Sequence, residues 1–250
     1  IDHVIRRSLR ATPGGNRRQW EFAAIYLALL QAGALRPDAR GLGMGVGTER
    51  LIYALADAAG QVVATDLYQR DSRWRGVRTD DPQALIDARA PWPVAPGRIV
   101  AERADMRRLP YPDESFDFAW STGAFEHIGE DEDFLAHLND TARVLKPGGV
   151  YAFTTVIAYA PRTHRIRHNY YFAPDHLMAL AHASALTPEP VFDVRLRRHA
   201  GNRPVIEELA PFGVGGADGL LWPVSALRRG TITVANLVLL RKTGERRAAP

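Results

Sequence analysis

The sequence predicts an α/β fold, a doubly wound and mainly parallel sheet with helices on both faces. Three observations predict it. Short β-branched or aromatic runs alternate with stretches of helical periodicity between residues 38 and 157, and that alternation means right-handed crossovers between parallel strands. Gly41, Gly43, Gly45 and Gly47 occupy alternate positions between the first strand and the helix that follows it. With 250 residues, 46% hydrophobic and 24% charged, the chain can bury a core and cover it with polar surface.

The elements follow in order. From Trp20 to Ala32 the residues Trp20, Ala23, Ala24, Leu27 and Leu30 recur at helical spacing, and Gly33 offers a stop. A short strand then enters the glycine run, and Leu51, Ile52 and Leu55 mark a helix that ends near Gly60. Gln61–Asp66 and Arg98–Glu102 read as the second and third strands. Residues 69–97 between them are polar and Pro-rich around one weak helix. Phe116–Ser121 reads as a fourth strand, Asp131–Leu145 as a helix with Phe134, Leu138 and Ala142 on one face, and Val150–Ile157 as a fifth strand. Lys146-Pro-Gly-Gly149 stops that helix, because proline cannot continue it and glycine accepts a left-handed turn. Pro174–Ala185 is one more helix. Pro190–Arg198 and Thr231–Arg241 are the final strands, joined by a Gly- and Pro-rich connection that includes Phe212–Gly219.

Composition excludes several chemistries. The chain has no cysteine, so disulfides, thiolate metal sites and cysteine nucleophiles are ruled out, in keeping with a cytoplasmic enzyme, and no metal site is expected. The longest mostly apolar stretch, Phe22–Leu35, is too short to span a bilayer, which takes about 20 residues, so no membrane association is expected. Of the 32 basic residues, all but Lys146 and Lys242 are arginines, and 28 carboxylates leave a net charge of +4. The clusters Arg162, Arg165, Arg167 and Arg195, Arg197, Arg198 lack the interleaved aromatics of a nucleic-acid surface, so a nucleic acid is not the expected partner.

The polar residues at strand ends carry the chemistry. In an open α/β sheet, ligands bind beyond the carboxyl ends of the strands. The glycine run follows the first strand, Asp66 ends the second, Asp105 follows the third, and Ser121 with Thr122 ends the fourth. Asp66 comes 19 residues after Gly47, where a carboxylate can accept hydrogen bonds from both ribose hydroxyls. Asp105 adds an acceptor suited to the adenine amino group. The pattern G-x-G-x-x-G fails in every frame, because its last position falls on Val46, Thr48 or Arg50. That disfavours a nicotinamide or flavin dehydrogenase.

In this order the motifs resemble the class I S-adenosylmethionine-dependent methyltransferases, and within them the type 11 group. The resemblance rests on Gly41-Leu-Gly-Met-Gly-Val-Gly47, Asp105-Met-Arg-Arg-Leu-Pro-Tyr-Pro-Asp-Glu-Ser-Phe-Asp117, Phe125-Glu-His-Ile128 and Arg143-Val-Leu-Lys-Pro-Gly-Gly149. It implies a Rossmann-like sheet of seven strands whose last, Thr231–Arg241, is antiparallel. It further implies a single domain over residues 1–250, with a helical cap at 1–37, a cofactor-binding core at 38–157, and substrate-side loops, a helix and two strands at 158–250. Gly43, Gly45 and Gly47 would lie under the methionine part of S-adenosylmethionine, Asp66 would hold the ribose, Asp105 and the backbone of Met106 would read the adenine, and the Ser121 carbonyl would meet the ammonium. The family usually has an acid at the place of Gly41. Glu49, just inside the next helix, is the candidate substitute.

The expected activity is therefore methyl transfer from S-adenosylmethionine to an oxygen or nitrogen of a small-molecule acceptor, such as a sugar or natural-product hydroxyl. The alternatives are an RNA methyltransferase and a catalytically inactive cofactor-binding partner protein. His127, just beyond the fourth strand, is the candidate general base, because an imidazole can take a hydroxyl proton near neutral pH. His164, His168, Tyr170 and Tyr171 follow the fifth strand and are the candidates for the acceptor pocket.

Overall fold

The computed structural model describes residues 1–14, 16–69, 75–166, 169–189, 205–206, 225–228 and 231–244. Its elements run α1 (Asp2–Arg7), α2 (Arg17–Gln31), β1 (Arg40–Met44), α3 (Arg50–Ala58), β2 (Gln61–Asp66), α4 (Pro82–Ala88), β3 (Ile99–Arg103), β4 (Phe116–Thr122), α5 (Asp131–Val144) and β5 (Leu145–Ala158). Then come the hairpin strands β6 (His164–Ile166) and β7 (Asn169–Tyr171), α6 (Pro174–Ala183), and the strands β8 (Thr187–Pro188), β9 (Val205–Ile206), β10 (Ser225–Arg228) and β11 (Thr231–Arg241).

The main sheet runs β3-β2-β1-β4-β5-β11-β10-β9, with β8 also paired to β11. The first five strands are mutually parallel, and β11 lies antiparallel to β5 from Thr233 opposite Ala158 to Arg241 opposite Val150. The chain steps outward from β1 to β2 and β3 and then crosses back to β4 on the other side of β1, so a crevice opens at the carboxyl ends of β1 and β4.

Each face of the sheet carries its own core. Val62, Ala64, Phe118, Trp120, Val150 and Ala152 point to the side covered by α2 and α3. Leu42, Met44, Val63, Ala119, Tyr151 and Phe153 point to the side covered by α5 and α6. Burial on both faces is why these strands read as continuous apolar runs rather than as alternating ones.

Three sequence expectations need correction. The second helix starts at Arg17 rather than near Trp20, because the Asn16 side chain accepts from the Gln19 amide at 3.0 Å and caps it. Lys146–Gly149 belongs to β5, where it loops out: Phe116 pairs with Leu145 and Phe118 with Val150, so two steps along β4 match five along β5. Beyond β11 the edge is built from the short β8, β9 and β10. The expected strand at Pro190–Arg198 and the connection at Phe212–Gly219 lie outside the described residues.

Candidate active site

The alternating glycines do two different jobs. Gly41 and Gly43 lie inside β1, opposite Phe118 and Trp120 of β4. A Cβ on Gly41 would stand 2.3 Å from the Phe118 ring, and one on Gly43 would stand 2.4 Å from the Trp120 ring. These two glycines therefore make room for aromatic packing. Gly41 cannot be an acid while Phe118 fills that space. Gly45 and Gly47 form the turn into α3 with φ of +64° and +52°, a conformation that glycine adopts without strain. They floor a cleft of about 690 Å³, within the usual range for a small-molecule site.

Carboxylates stand around that cleft. Asp66 Oδ2 accepts from the Gly47 amide at 3.0 Å, and Oδ1 accepts from the Leu67 amide at 2.7 Å. Burial raises its pKa, and the amide hydrogen bonds oppose that. The Tyr68 amide acts on the same carboxylate, which has about four acceptor sites, so capacity for a ligand hydroxyl remains. Asp105 is gripped by Arg107 through Nη2 at 2.7 Å and Nε at 3.0 Å, and this pairing lowers its pKa. An adenine amino group would share that carboxylate with the Arg107 fork. Glu49 Oε1 accepts from Trp120 Nε1 at 2.9 Å and from Thr122 Oγ1 at 3.1 Å. Burial pushes its pKa up to about 8.

The other candidates separate into those at the cleft and those away from it. Met106 and His127 line it beside Thr122 and Gly123. His127 ends the short 3-10 turn Phe125–His127, held by its amide to the Ala124 carbonyl at 3.0 Å. Gly43 and Ser121 are not in the lining. Ser121 is fully buried within β4, opposite Phe153.

Of the four acceptor-pocket candidates, the three that are described do not line the cleft. Tyr170 is buried, donates to Glu130 Oε2 and stacks edge-on against Phe134. Tyr171 is buried against Val156 and Ala158. His164 is exposed on the hairpin, and His168 lies outside the described residues.

Sequence reasoning missed two residues here. Arg18, at the start of α2, lines the cleft and donates from Nη1 to the Thr122 carbonyl at 2.9 Å. A lone arginine among many carries no spacing signal. His137 on α5 is fully buried, with Nδ1 2.8 Å from the Met106 carbonyl and Nε2 2.8 Å from the Tyr151 hydroxyl. It fixes the Met106 wall from behind. Burial pulls its pKa down to about 4, so it is neutral near pH 7.

Residues 42–153 match the methyltransferase domain family. This part of the chain is similar to a methyltransferase domain. The chain is 37% identical over 95 residues to a malonyl-[acyl-carrier protein] O-methyltransferase from Salmonella typhimurium, covering 38% of this chain and 34% of that protein. It is 32% identical over 136 residues to a ubiquinone/menaquinone biosynthesis C-methyltransferase from Pseudomonas fluorescens, covering 54% and 47%. It thus spans about half or less of the length of these two relatives. In fold it is similar to a geranyl diphosphate C-methyltransferase from Streptomyces coelicolor, crystallised with magnesium, geranyl diphosphate and S-adenosylhomocysteine. That TM-score is 0.57 at 14% identity, covering 88% of this chain and 77% of the other.

S-adenosylmethionine is the methyl donor of this methyltransferase family, and the cleft fits it on three counts. Gly45 and Gly47 leave the floor free of side chains where a Cβ would meet Ala124 at 2.6 Å or Val77 at 2.8 Å. Asp66 keeps acceptor capacity for a ligand hydroxyl. Glu49 offers a carboxyl group at the end of the cleft nearest β4, held by Trp120 and Thr122. No helix among the described residues is long and apolar enough to cross a membrane. Among the same residues, no three His, Asp or Glu side chains cluster to hold a metal ion.

Proposed function

We propose that the protein transfers the methyl group of S-adenosylmethionine to an oxygen or nitrogen of a small-molecule acceptor. The observation that carries this reading is the grouping of Glu49, Asp66 and Asp105 around one cleft floored by Gly45 and Gly47. That grouping supports reading the three as acceptors for an ammonium, a ribose and an adenine, in that order. Asp66 holds the ribose through its remaining lone pairs, and the backbone near Met106 contacts the base. Glu49 holds the ammonium.

The cofactor supplies an electrophilic methyl group, so the chain's task is alignment and the exclusion of water. A hydroxyl acceptor must also lose a proton. His127, on the wall that continues β4, is the side chain at the cleft suited to take it. The two curated relatives above act on oxygen and on carbon, and the acceptor proposed here shares the first of these chemistries.

Thermal unfolding with added ligand tests the reading. S-adenosylhomocysteine at about 100 times its dissociation constant should stabilise the native state by roughly 2.7 kcal/mol, whereas NAD should not. A melting shift with NAD and none with S-adenosylhomocysteine would refute it.

A further inference from the structure

Arg18 lies outside residues 42–153, the part that matches the methyltransferase family. It comes from α2, yet it reaches the cleft at the end of β4. Among the described residues its hydrogen bonds use one nitrogen: Nη1 donates to the Thr122 carbonyl at 2.9 Å and to Glu21 Oε2 at 3.1 Å. The side chain is 43% exposed, whereas that of Glu21 is 0% exposed. The guanidinium is thus anchored from behind and open in front. Gly123 makes this approach possible, because a Cβ there would stand 2.8 Å from Arg18 Nη1.

Thr122 brings the two charge types together. Its carbonyl accepts from Arg18 and its hydroxyl donates to Glu49 Oε1 at 3.1 Å. Arg18, Thr122 and Glu49 all line the same end of the cleft. One residue therefore carries a guanidinium on its backbone side and the Glu49 carboxyl group on its side-chain side. An α-amino acid presents an anion and a cation on adjacent atoms, and this arrangement complements it.

We propose that Arg18 and Glu49, hung on Thr122, form a clamp for the amino-acid end of the cofactor, with Arg18 binding the α-carboxylate and Glu49 the α-ammonium. The assignment rests on the cofactor reading above and extends it to a residue outside the matched domain. The anion half of the site then comes from α2. Arg18 is held in place before the ligand arrives by Glu21, whose Oε1 also lies 3.5 Å from Arg17 Nε. A guanidinium so held loses little freedom on binding, and its remaining donors suit a carboxylate.

Calorimetric titration of the full chain with three probes tests the clamp: S-adenosylhomocysteine, its decarboxylated amine analogue, and methylthioadenosine, which lacks the amino-acid tail. The parent should bind S-adenosylhomocysteine about 10- to 100-fold more tightly than the decarboxylated analogue, as a charge-assisted hydrogen bond warrants. In Arg18→Gln that ratio should fall to within about threefold while methylthioadenosine binding stays as in the parent, and Arg18→Lys should recover part of the ratio. Because the ratio is taken within each variant, a general loss of stability does not mimic it. An equal loss for all three probes in Arg18→Gln would make Arg18 a structural bolt for α2 and overturn the clamp, as would a parent that does not distinguish the first two probes. A parent that binds none of the three overturns the proposed function itself, and the clamp with it.

Discussion

Glu21 is fully buried, and Glu49 is half-buried at the wall of the cleft. Burial pushes the Glu49 pKa up to about 8 from an ordinary 4.5. A raised folded-state pKa means the native state holds more protons than the unfolded chain between those two values. The favourable contribution is complete below about pH 4.5 and is lost as pH rises through about 8. Glu49→Gln keeps an acceptor for Trp120 Nε1 and Thr122 Oγ1 and cannot ionise. The ligand-free variant should therefore melt above the parent at pH 8 to 9 and level with it near pH 5. It should also bind S-adenosylhomocysteine more weakly. Melting curves that track the parent at every pH would contradict the burial cost assigned to Glu49. For His127, replacement by Ala should leave cofactor affinity nearly intact and lower kcat by about 10² to 10⁴ if a hydroxyl is the acceptor. An unchanged rate and pH profile would remove it as the base.

Among the elements, β1 and its turn carry glycines of unlike purpose, and substitution should separate them. Gly43→Ala forces a methyl group against the buried Trp120 ring, so it should destabilise the fold by about 1 to 3 kcal/mol while the folded fraction keeps its cofactor affinity. Gly47→Ala strains a backbone at φ +52° beside Asp66 and should weaken cofactor binding as well. Denaturant midpoints and titrations of the two variants check this, and matching profiles for both would contradict the division. The central strands were legible because burial on both faces leaves short apolar runs that end in carboxylates, as Gln61–Asp66 shows. A two-residue strand such as Thr187–Pro188 has no periodicity to detect. Asp66 was legible from its spacing to the glycines, whereas the contact from Arg18 to Thr122 spans 104 residues and depends on how α2 packs. His137 looked like any polar residue on a helix until its two buried partners were visible.

For the whole molecule, charge is distributed rather than concentrated. The net charge is +4, yet the cleft gathers Glu49, Asp66 and Asp105 against Arg18 and Arg107, a mixed lining and not a phosphate track. Structured RNA should therefore bind weakly. Phosphate-driven binding with about six or more contacts would fall by orders of magnitude between 50 and 200 mM salt. Tight, salt-sensitive RNA binding together with methyl incorporation into RNA would reverse the small-molecule reading.

The packing of Phe118 over Gly41 also bears on which sequences can be reached from this one. An aspartate at position 41 has no space while the ring is there, and a smaller residue at position 118 alone leaves a void in a close-packed interior. Each change made first is harmful, and only the pair is tolerable. The two positions are epistatic, so an acidic form of the loop can be reached only through a less stable intermediate.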